Sequence, residues 1–276
     1  MLIAPAQLRF HITFTALNKK MNYTLITGAS KGIGKAIAIE AASRGMNLLL
    51  VARSKELLDK LAVELSAKNV SVKTFVADLF EEDAAGKIFQ YAKENSLNIN
   101  MLANNAGMGY YGNFDECDLK KHLEVMHLNM DACVKLAYTF LKNSGPGQRR
   151  YILNTVSTGA YQPVPAMAIY AASKAFMLFF SRALREELKK KNVYVTALCP
   201  GGTETEFFGP AQMTGLAKKN ARFMMSAEKV ARVGLQAVMK NKSVVIPGIT
   251  NKVGAIASKL APHDIVVPVA GNFFKV

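Results

Sequence analysis

Short apolar segments alternate with longer amphipathic segments along residues 22–247 of the chain. The segment NLLLVA at 47–52 carries no charge, which is typical of a strand that is buried on both faces of a sheet. The longer segments place apolar residues three and four positions apart, as in helices that pack on a sheet. The alternation predicts an α/β fold, namely a doubly wound, parallel sheet of about seven strands with helices on both faces.

The predicted strands and helices follow one another with short turns between them. A loop is expected at 143–147, where Gly, Pro and Gly occur together. The predicted strands are 23–27, 47–52, 72–76, 101–104, 151–155, 194–199 and 244–247. The predicted helices are 35–44, 54–68, 81–95, 118–141, 168–191 and 226–240.

The pattern divides the chain into a leader at 1–21, one α/β domain at 22–247 and a C-terminal tail at 248–276. Within the domain, 205–225 has mixed polarity and is expected to form a mobile lid. The leader lacks the pattern of a secretory signal, so we expect a loosely ordered extension, with Met21 as a candidate start. An ordered arm and a targeting or membrane-surface element are the alternatives.

The composition is strongly basic. The 276 residues carry a formal charge of +15, which favours an anionic partner such as a phosphorylated cofactor, an acyl-CoA, a lipid headgroup or nucleic acid. The alternative is a solvated basic surface, because the lysines and arginines are spread along the chain. A basic stripe interleaved with aromatic residues is missing, so we expect no nucleic acid partner.

Cysteine and histidine are sparse. Cys117, Cys133 and Cys199 have no CxxC spacing, and the four histidines form no ligand pair at a useful helical spacing. We therefore expect no disulfide framework and no metal site. Free thiols are typical of a reducing compartment, and a cytoplasmic protein is expected.

The segment TGASKGIG lies between the first predicted strand and the first predicted helix. Glycine allows a tight turn and lets the backbone approach a pyrophosphate, and the helix N-terminus attracts phosphate. The alternative is a purely structural glycine loop. This context predicts a Rossmann dinucleotide-binding domain, with the cofactor held by Gly28, Ser30, Lys31, Gly32, Ile33 and Gly34.

The end of the second strand indicates which dinucleotide binds. A carboxylate at this place would hydrogen-bond the ribose of NAD, but Ala52 supplies none, while Arg53 and Lys31 offer two cations. Arginine can bind a phosphate through two parallel hydrogen bonds. We therefore expect NADP(H) rather than NAD(H). In the alternative interpretation, Arg53 is a solvated residue at the start of a helix.

Two further turns follow predicted strands at the same edge of the sheet. Asp78 and Leu79 follow the third strand, where the adenine is expected. Asn105, Ala106 and Gly107 follow the fourth strand and are expected to face the cofactor, although a simple tight turn is the alternative.

Tyr170 and Lys174 are four residues apart in one predicted helix, so their side chains share a face. An ammonium group near a phenol favours the phenolate and lowers its pKa. Ser157 lies at the carboxyl end of the fifth strand, where ligands of such sheets bind, and its hydroxyl can donate to a carbonyl oxygen. Together the three residues predict acid–base chemistry on a carbonyl or an alcohol.

The motifs TGASKGIG, NNAG, Ser157, YAASK and PGGTET resemble those of the short-chain dehydrogenase/reductase family over about 22–247. The resemblance implies that Tyr170 exchanges the proton and that Ser157 orients the substrate oxygen. It further implies that Lys174 holds the nicotinamide ribose and lowers the pKa of Tyr170. Asn129 matches an asparagine that supports a water-linked proton relay, or is an ordinary helix amide.

The resemblance extends to the loop after the sixth strand. Pro200, Gly201 and Thr205 match residues that contact the nicotinamide amide. Thr203, also expected at the cofactor, stands where the family more often has an aliphatic residue. The tail is similar to those of the branch near long-chain 3-oxoacyl reductases.

These observations predict an NADP(H)-dependent oxidoreductase that interconverts a carbonyl and an alcohol. A hydrophobic small molecule, such as a 3-oxoacyl chain, a steroid or a lipid-like ketone, is the expected substrate. A non-catalytic NADP(H)-binding sensor or scaffold is the alternative. The expected apolar wall for the substrate comprises Phe207, Phe208, Met213, Phe223 and Met224.

The long helices are expected to pair in a homodimer or homotetramer. The tail is expected to pack on the domain or on a partner subunit, with peripheral membrane contact as the alternative.

Overall fold

The computed structural model describes residues 21–143, 147–208 and 224–274. Its strands are β1 (Asn22–Thr27), β2 (Asn47–Ala52), β3 (Val72–Val76), β4 (Asn98–Asn104), β5 (Arg150–Thr155), β6 (Val193–Leu198), β7 (Thr203–Glu204), β8 (Met225–Ser226) and β9 (Val244–Val245). Its helices are α1 (Gly32–Ser43), α2 (Lys55–Ser66), α3 (Ala84–Glu94), α4 (Leu119–Met126), α5 (Ala132–Asn143), α6 (Ala168–Leu188), α7 (Ala227–Met239), α8 (Ile249–Leu260) and α9 (His263–Phe274).

Seven strands form one parallel sheet in the order β3-β2-β1-β4-β5-β6-β9. The central strand β1 pairs with β2 on one side and with β4 on the other. The strand order therefore reverses between β1 and β4, and ligands of open α/β sheets bind beyond the carboxyl ends of the strands at this point. The doubly wound, parallel fold that the sequence predicts is confirmed.

The apolar strands divide their side chains between the two faces of the sheet. Leu48 and Leu50 of β2 pack in the cluster that includes α1, α2 and α7. Leu49 and Val51, which alternate with them, pack in the cluster that includes α3, α5 and α6. Because successive side chains of a strand point to opposite faces, an uninterrupted apolar strand is buried by helices on both sides.

One predicted helix is interrupted. The sequence pattern predicts a single helix over 118–141, whereas the structure has α4, a π-helical turn at His127–Asp131 and then α5. A π turn contains one extra residue relative to an α-helix, so it rotates the side chains that follow. The turn carries Asn129, which is buried.

The C-terminal tail forms the two helices α8 and α9, which the sequence analysis does not predict as helices. Within the described residues, no helix is long and apolar enough to cross a bilayer. The leader at 1–20 and most of the expected lid, at 209–223, lie outside the described residues.

Candidate active site

A cleft of about 770 Å³ opens at the carboxyl ends of the strands, where the strand order reverses. The residues that line the cleft come from the glycine turn, the ends of β2 to β6 and the start of α6. The sequence-predicted site residues that line it are Gly28, Ser30, Lys31, Gly32, Ile33, Arg53, Asp78, Leu79, Asn105, Ala106, Gly107, Ser157, Tyr170, Lys174, Pro200, Gly201, Thr203 and Thr205. Two predicted residues, Gly34 and Asn129, lie behind this lining.

The glycine turn has no room for side chains. Gly28 and Gly32 have φ angles of +64° and +52°, in the left-handed region that favours glycine. A Cβ on Gly34 would lie 2.1 Å from the carbonyl oxygen of Gly28. Helix α1 begins at Gly32 without a side-chain cap and without an acidic residue in its first turn. Its free N–H groups and positive dipole end fit a phosphate group of a dinucleotide.

A buried hydroxyl joins the glycine turn to the loop after β4. The backbone N–H groups of Asn105 and Ala106 donate to Thr27 Oγ1 over 3.0 and 3.1 Å. Asn105 Nδ2 donates to the carbonyl oxygen of Thr27, and Thr155 Oγ1 donates to Asn105 Oδ1. The loop Asn105–Gly107 is thus held between β1 and β5, as a cofactor-facing segment requires.

Two cations border the cleft, one in the glycine turn before α1 and one at the carboxyl end of β2. The side chains of Lys31 and Arg53 both line the cleft and are exposed. Within the part of the chain that the structure describes, neither forms an ion pair. Ser54 Oγ accepts from the N–H of Leu57 and caps α2, so Arg53 precedes the helix and is free to bind an anion.

Ser157, Tyr170 and Lys174 come together at the inner end of the cleft. The Ser157 side chain lies close enough to the Tyr170 phenol to lower the pKa of that phenol. Lys174 Nζ lies 5.7 Å from the centre of the Tyr170 ring and donates to the carbonyl oxygen of Thr155 over 3.1 Å. Ser157 Oγ also accepts from the N–H of Gly159, which leaves the hydroxyl hydrogen free to donate. The predicted triad therefore occupies one site.

The pKa of Tyr170 differs from the sequence-based expectation. Burial raises the pKa of the phenol, and the Ser157 side chain opposes this shift. Burial also lowers the pKa of Lys174, which is 6% exposed. In this state the net shift is upward, because loss of hydration penalises the phenolate more than its neighbours stabilise it, and a lowering of the pKa of Tyr170 by Lys174 stays a prediction.

Asn129 acts on the backbone rather than on the cleft. Its Nδ2 donates to the carbonyl oxygen of Met108 and to Ser173 Oγ, and its Oδ1 accepts from the N–H of Met108. Gly107 packs against both Asn129 and Lys174. A Cβ on Gly107 would be 3.0 Å from Asn129 Oδ1 and 3.3 Å from Lys174 Nζ. Asn129 therefore ties the loop after β4 to α6 beside the lysine.

The loop after β6 closes the cleft opposite the glycine turn. Thr203 is buried, pairs with Met225 in a short two-stranded ladder and donates its hydroxyl to the carbonyl oxygen of Gly201. The methyl-bearing side chain of Thr205 lies 3.1 Å from a Cβ position on Gly32. Thr203 is thus buried at the position where the family more often has an aliphatic residue, and its hydroxyl is hydrogen-bonded to the local backbone.

An apolar wall lies on the substrate side of Tyr170. Val164 and Met167 are buried there, and the Phe207 ring lies 5.8 Å from the Tyr170 ring. A Cβ on Gly109 would be 2.7 Å from Phe207 Cζ, so this glycine lets the aromatic ring approach. Part of the predicted wall lies outside the described residues, namely Met213, Phe223 and the side chain of Phe208. Met224, the remaining predicted member, packs against Gly202.

Residues 22–215 of the chain match the short chain dehydrogenase family. The chain belongs to the short-chain dehydrogenase family. The resemblance drawn from the motifs is thereby confirmed, and so is the expectation of an enzyme of this family.

Two relatives and two solved structures place the chain within the family. It is 35% identical to very-long-chain 3-oxoacyl-CoA reductase of Bos taurus over 78% of this chain and 69% of the relative. It is 37% identical to 17-beta-hydroxysteroid dehydrogenase type 3 of Homo sapiens over 66% of this chain and 59% of the relative. The chain thus spans about two thirds or less of these curated relatives.

A short-chain dehydrogenase from Sphingobium yanoikuyae in complex with NADPH has a TM-score of 0.74 and 32% identity, covering 86% of this chain and 92% of that one. The bulky-bulky ketone specific alcohol dehydrogenase from Comamonas testosteroni has a TM-score of 0.70 and 30% identity, covering 87% and 94%.

Sequence reasoning missed several members of this short-chain dehydrogenase cleft. They are apolar or small residues whose position follows from the fold rather than from a motif. The further lining residues include Leu57, Phe80, Leu128, Val156, Thr158 and Gly159. Only those that directly adjoin a motif, such as Thr158 after Ser157, carried a usable signal.

No group of three or more His, Cys, Asp or Glu side chains in the described residues could hold a metal ion. Cys117, Cys133 and Cys199 are free thiols, as expected. Burial raises the pKa of Cys133 and of Cys199 to about 11, so both thiols are protonated at neutral pH.

Proposed function

We propose that the protein is an NADP(H)-dependent oxidoreductase that interconverts a carbonyl and an alcohol on a hydrophobic small molecule. One observation carries the proposal. The hydroxyl of Ser157, the phenol of Tyr170 and the ammonium of Lys174 gather in a single cleft. The glycine turn borders one end of this cleft, and the apolar wall with Phe207 borders the other.

The cofactor would extend from the cations beside β2 to the loop after β6. The pyrophosphate fits the uncapped start of α1, and the adenine fits the apolar end near Leu57 and Leu79. Arg53 and Lys31 would bind a 2′-phosphate, which favours NADP(H) over NAD(H). A solved structure that is similar to this chain contains NADPH, which supports this choice. When bound, the nicotinamide supplies or accepts the hydride.

The side chains of the chain provide the remaining chemistry. In reduction, Tyr170 donates its proton to the carbonyl oxygen while Ser157 donates a hydrogen bond to the same oxygen. In oxidation, the Tyr170 phenolate accepts the proton of the alcohol. Lys174 would bind the nicotinamide ribose, and its ammonium would stabilise the phenolate as it forms. Asn129 positions Gly107 and Met108 beside Lys174.

The proposed substrates are 3-oxoacyl chains, steroids and lipid-like ketones. The wall formed by Val164, Met167 and Phe207 is apolar, and burial of such a substrate against it is favourable. The names of two relatives point to long-chain 3-oxoacyl thioesters and to steroids, respectively. The charge of +15 further favours an acyl-CoA, whose phosphates are anionic.

The deciding experiment measures NADPH oxidation with ketones, aldehydes and 3-oxoacyl thioesters, using the Tyr170→Phe variant alongside the wild type. Loss of the proton donor should lower kcat by about a hundredfold to ten-thousandfold. Tyr91→Phe is the matched control, because Tyr91 lies on α3 outside the cleft lining and should keep full activity.

NADPH binding, followed by fluorescence, separates the enzyme from the alternative of a non-catalytic NADP(H) sensor or scaffold. Tyr170→Phe should bind NADPH as the wild type does. Binding of NADPH by the wild type without turnover of any carbonyl or alcohol would favour the sensor and overturn the proposed activity.

A further inference from the structure

Helix α8 presents a row of apolar side chains to solvent. Four of its apolar residues recur at intervals of four, three and four positions, and all are strongly exposed. We call them the apolar stripe: Ile249 at 83%, Val253 at 60%, Ile256 at 48% and Leu260 at 79% exposure. At about 100° per residue, the four side chains fall within a sector of roughly 60°.

The opposite side of α8 attaches the helix to the domain. Ala255 is its buried residue. Asn251 Nδ2 donates to the carbonyl oxygen of Pro247 over 2.8 Å, and Ser258 is hydrogen-bonded to Gln162. Because these contacts hold the helix by its polar and small face, the apolar stripe points away from the protein.

Helix α9 also exposes apolar side chains to solvent. Ile265 and Val269, one turn apart, are 60% and 63% exposed. Val266 and Ala270 are buried on a face about 100° around the same helix. In both helices the exposed apolar residues therefore lie on a different face from the buried ones.

Two lysines border the apolar stripe. Lys252 and Lys259 are exposed, seven residues apart, and lie roughly 80° around the helix from the centre of the stripe. Helix α8 contains no acidic residue. A lysine at the edge of an apolar face can bury its methylene groups while its ammonium reaches the headgroups of a lipid surface.

We infer that α8 and α9 bind the surface of a bilayer that contains anionic phospholipids, with the apolar stripe inserted and the two lysines among the headgroups. Each helix has 12 residues, too few to span the hydrocarbon core, so both lie in the plane of the interface. The two contributions, apolar burial and attraction to anionic headgroups, are those that bind amphipathic helices to membranes.

Charge distinguishes a lipid surface from a second copy of the chain as the occupant. In a self-paired interface built on α8, the lysines would meet no acidic residue of the other α8, and like charges oppose association. An anionic bilayer offers opposite charge along the whole helix.

Helix α8 adjoins the cleft through the side that faces the domain. The side chain of Asn251 lies 2.4 Å from a Cβ position on Gly201, which lines the cleft, and Ser258 contacts Gln162 beyond Ser157. A membrane-bound orientation would hold this side of the cleft close to the lipid, where hydrophobic ketones partition. This last step rests on the proposed function, whereas the binding itself does not.

The test is flotation of the purified full chain with vesicles of equimolar phosphatidylcholine and phosphatidylglycerol. The double variant Val253→Asn/Leu260→Asn should bind at least about tenfold more weakly than the wild type, since two buried apolar side chains are lost. The matched control, Val63→Asn/Met239→Asn, removes two exposed apolar helix residues elsewhere and should bind as the wild type does.

A second pair of measurements addresses the charges. Lys252→Gln/Lys259→Gln should weaken binding to the anionic vesicles by roughly tenfold and leave the weak binding to pure phosphatidylcholine vesicles unchanged. Thermal unfolding and NADPH binding identify any variant that fails to fold.

Absence of flotation by the wild type would overturn the inference, and so would equal flotation of the Val253→Asn/Leu260→Asn variant and its control. A wild type that stays off the vesicles but forms larger assemblies, which the stripe variant loses, would identify a second copy as the occupant instead. Flotation requires no turnover, so it can succeed or fail independently of the proposed activity.

Discussion

Single side chains determine the pH dependence expected of the site. Burial raises the pKa of Tyr170 above its usual value of 10.0. Reduction needs the protonated phenol, which is present below this pKa, so its kcat should stay level through neutral pH and fall only in the alkaline range. Oxidation needs the phenolate, so its kcat should rise with pH over the same range.

Ser157→Ala removes a side chain that lowers the pKa of Tyr170, so the alkaline rise of oxidation should shift to higher pH. Profiles of kcat against pH in both directions check this expectation. A rise that shifts to lower pH in the variant would show that Ser157 does not lower the pKa of the phenol.

Arg53 provides a test of cofactor choice at the residue scale. Arg53→Ala should raise the KM for NADPH by about tenfold to a hundredfold, because a charge-assisted contact with the 2′-phosphate is lost, while the KM for NADH changes little. Lys60→Ala is the control, since Lys60 is an exposed cation on α2 outside the cleft lining. An equal effect of Arg53→Ala on both cofactors would show that Arg53 contacts no 2′-phosphate.

The sequence predicted the residues of the site better than their energetics. Gly28, Ser157, Tyr170 and Lys174 stand in motifs whose spacing fixes their place in the fold, and all four line the cleft. The sign of the Tyr170 pKa shift depends on how much surrounding structure excludes water, and no motif records that. The hydrogen bonds of Thr27 likewise depend on strands distant in sequence.

At the scale of elements, the glycine turn and α1 depend on one close approach. In Gly34→Ala, the new Cβ would lie 2.1 Å from the carbonyl oxygen of Gly28, so the turn must shift. We expect a loss of about 1–3 kcal/mol in the free energy of unfolding. The matched control is Gly86→Ala in α3, where nothing lies within 4 Å of the new Cβ.

Because alanine is the better helix former, Gly86→Ala should instead stabilise the protein by about 0.5–1 kcal/mol. Urea unfolding of both variants measures the difference. Equal stabilities of the two variants would mean that the turn relaxes around the new methyl group.

Elements were predicted unequally from the sequence, for physical reasons. The apolar strand β2 was predicted with the same bounds that the structure has, because burial on both faces gives an uninterrupted apolar run. The π-helical turn was missed because the apolar periodicity within α4 and within α5 is unchanged. The extra residue only rotates the apolar face of one helix relative to that of the other. Helices α8 and α9 were missed because several of their apolar residues face solvent rather than a core.

At the scale of the whole molecule, a second exposed apolar surface bears on how the subunits associate into an oligomer. It lies on α4, α5 and α6, where the exposed side chains are Leu119, Leu123, Met126, Tyr138, Phe176 and Phe179. Burial of such a patch in a symmetric contact is the common route to a homodimer. We expect the homodimer or homotetramer to form through these helices.

Phe179→Asp tests this expectation, because Phe179 is 69% exposed and a charge in the contact is costly. The variant should elute as a smaller species in size-exclusion chromatography with light scattering. Val63→Asp, a similarly exposed substitution on α2, should leave the assembly intact. An unchanged mass for Phe179→Asp would place the subunit contact elsewhere.

The π-helical turn at His127–Asp131 also constrains how this chain can vary. Deleting a single residue there would restore a regular helix, yet every position on one side of the deletion would rotate by about 100° relative to the other. Either Asn129 would lose its hydrogen bonds to Met108 and Ser173, or Leu136 and Phe140 of α5 would rotate out of the core. The extra residue thus lets Asn129 keep its hydrogen bonds while the apolar residues of α5 stay in the core. Insertions and deletions are therefore tolerable only outside the segment that links these two sets of contacts.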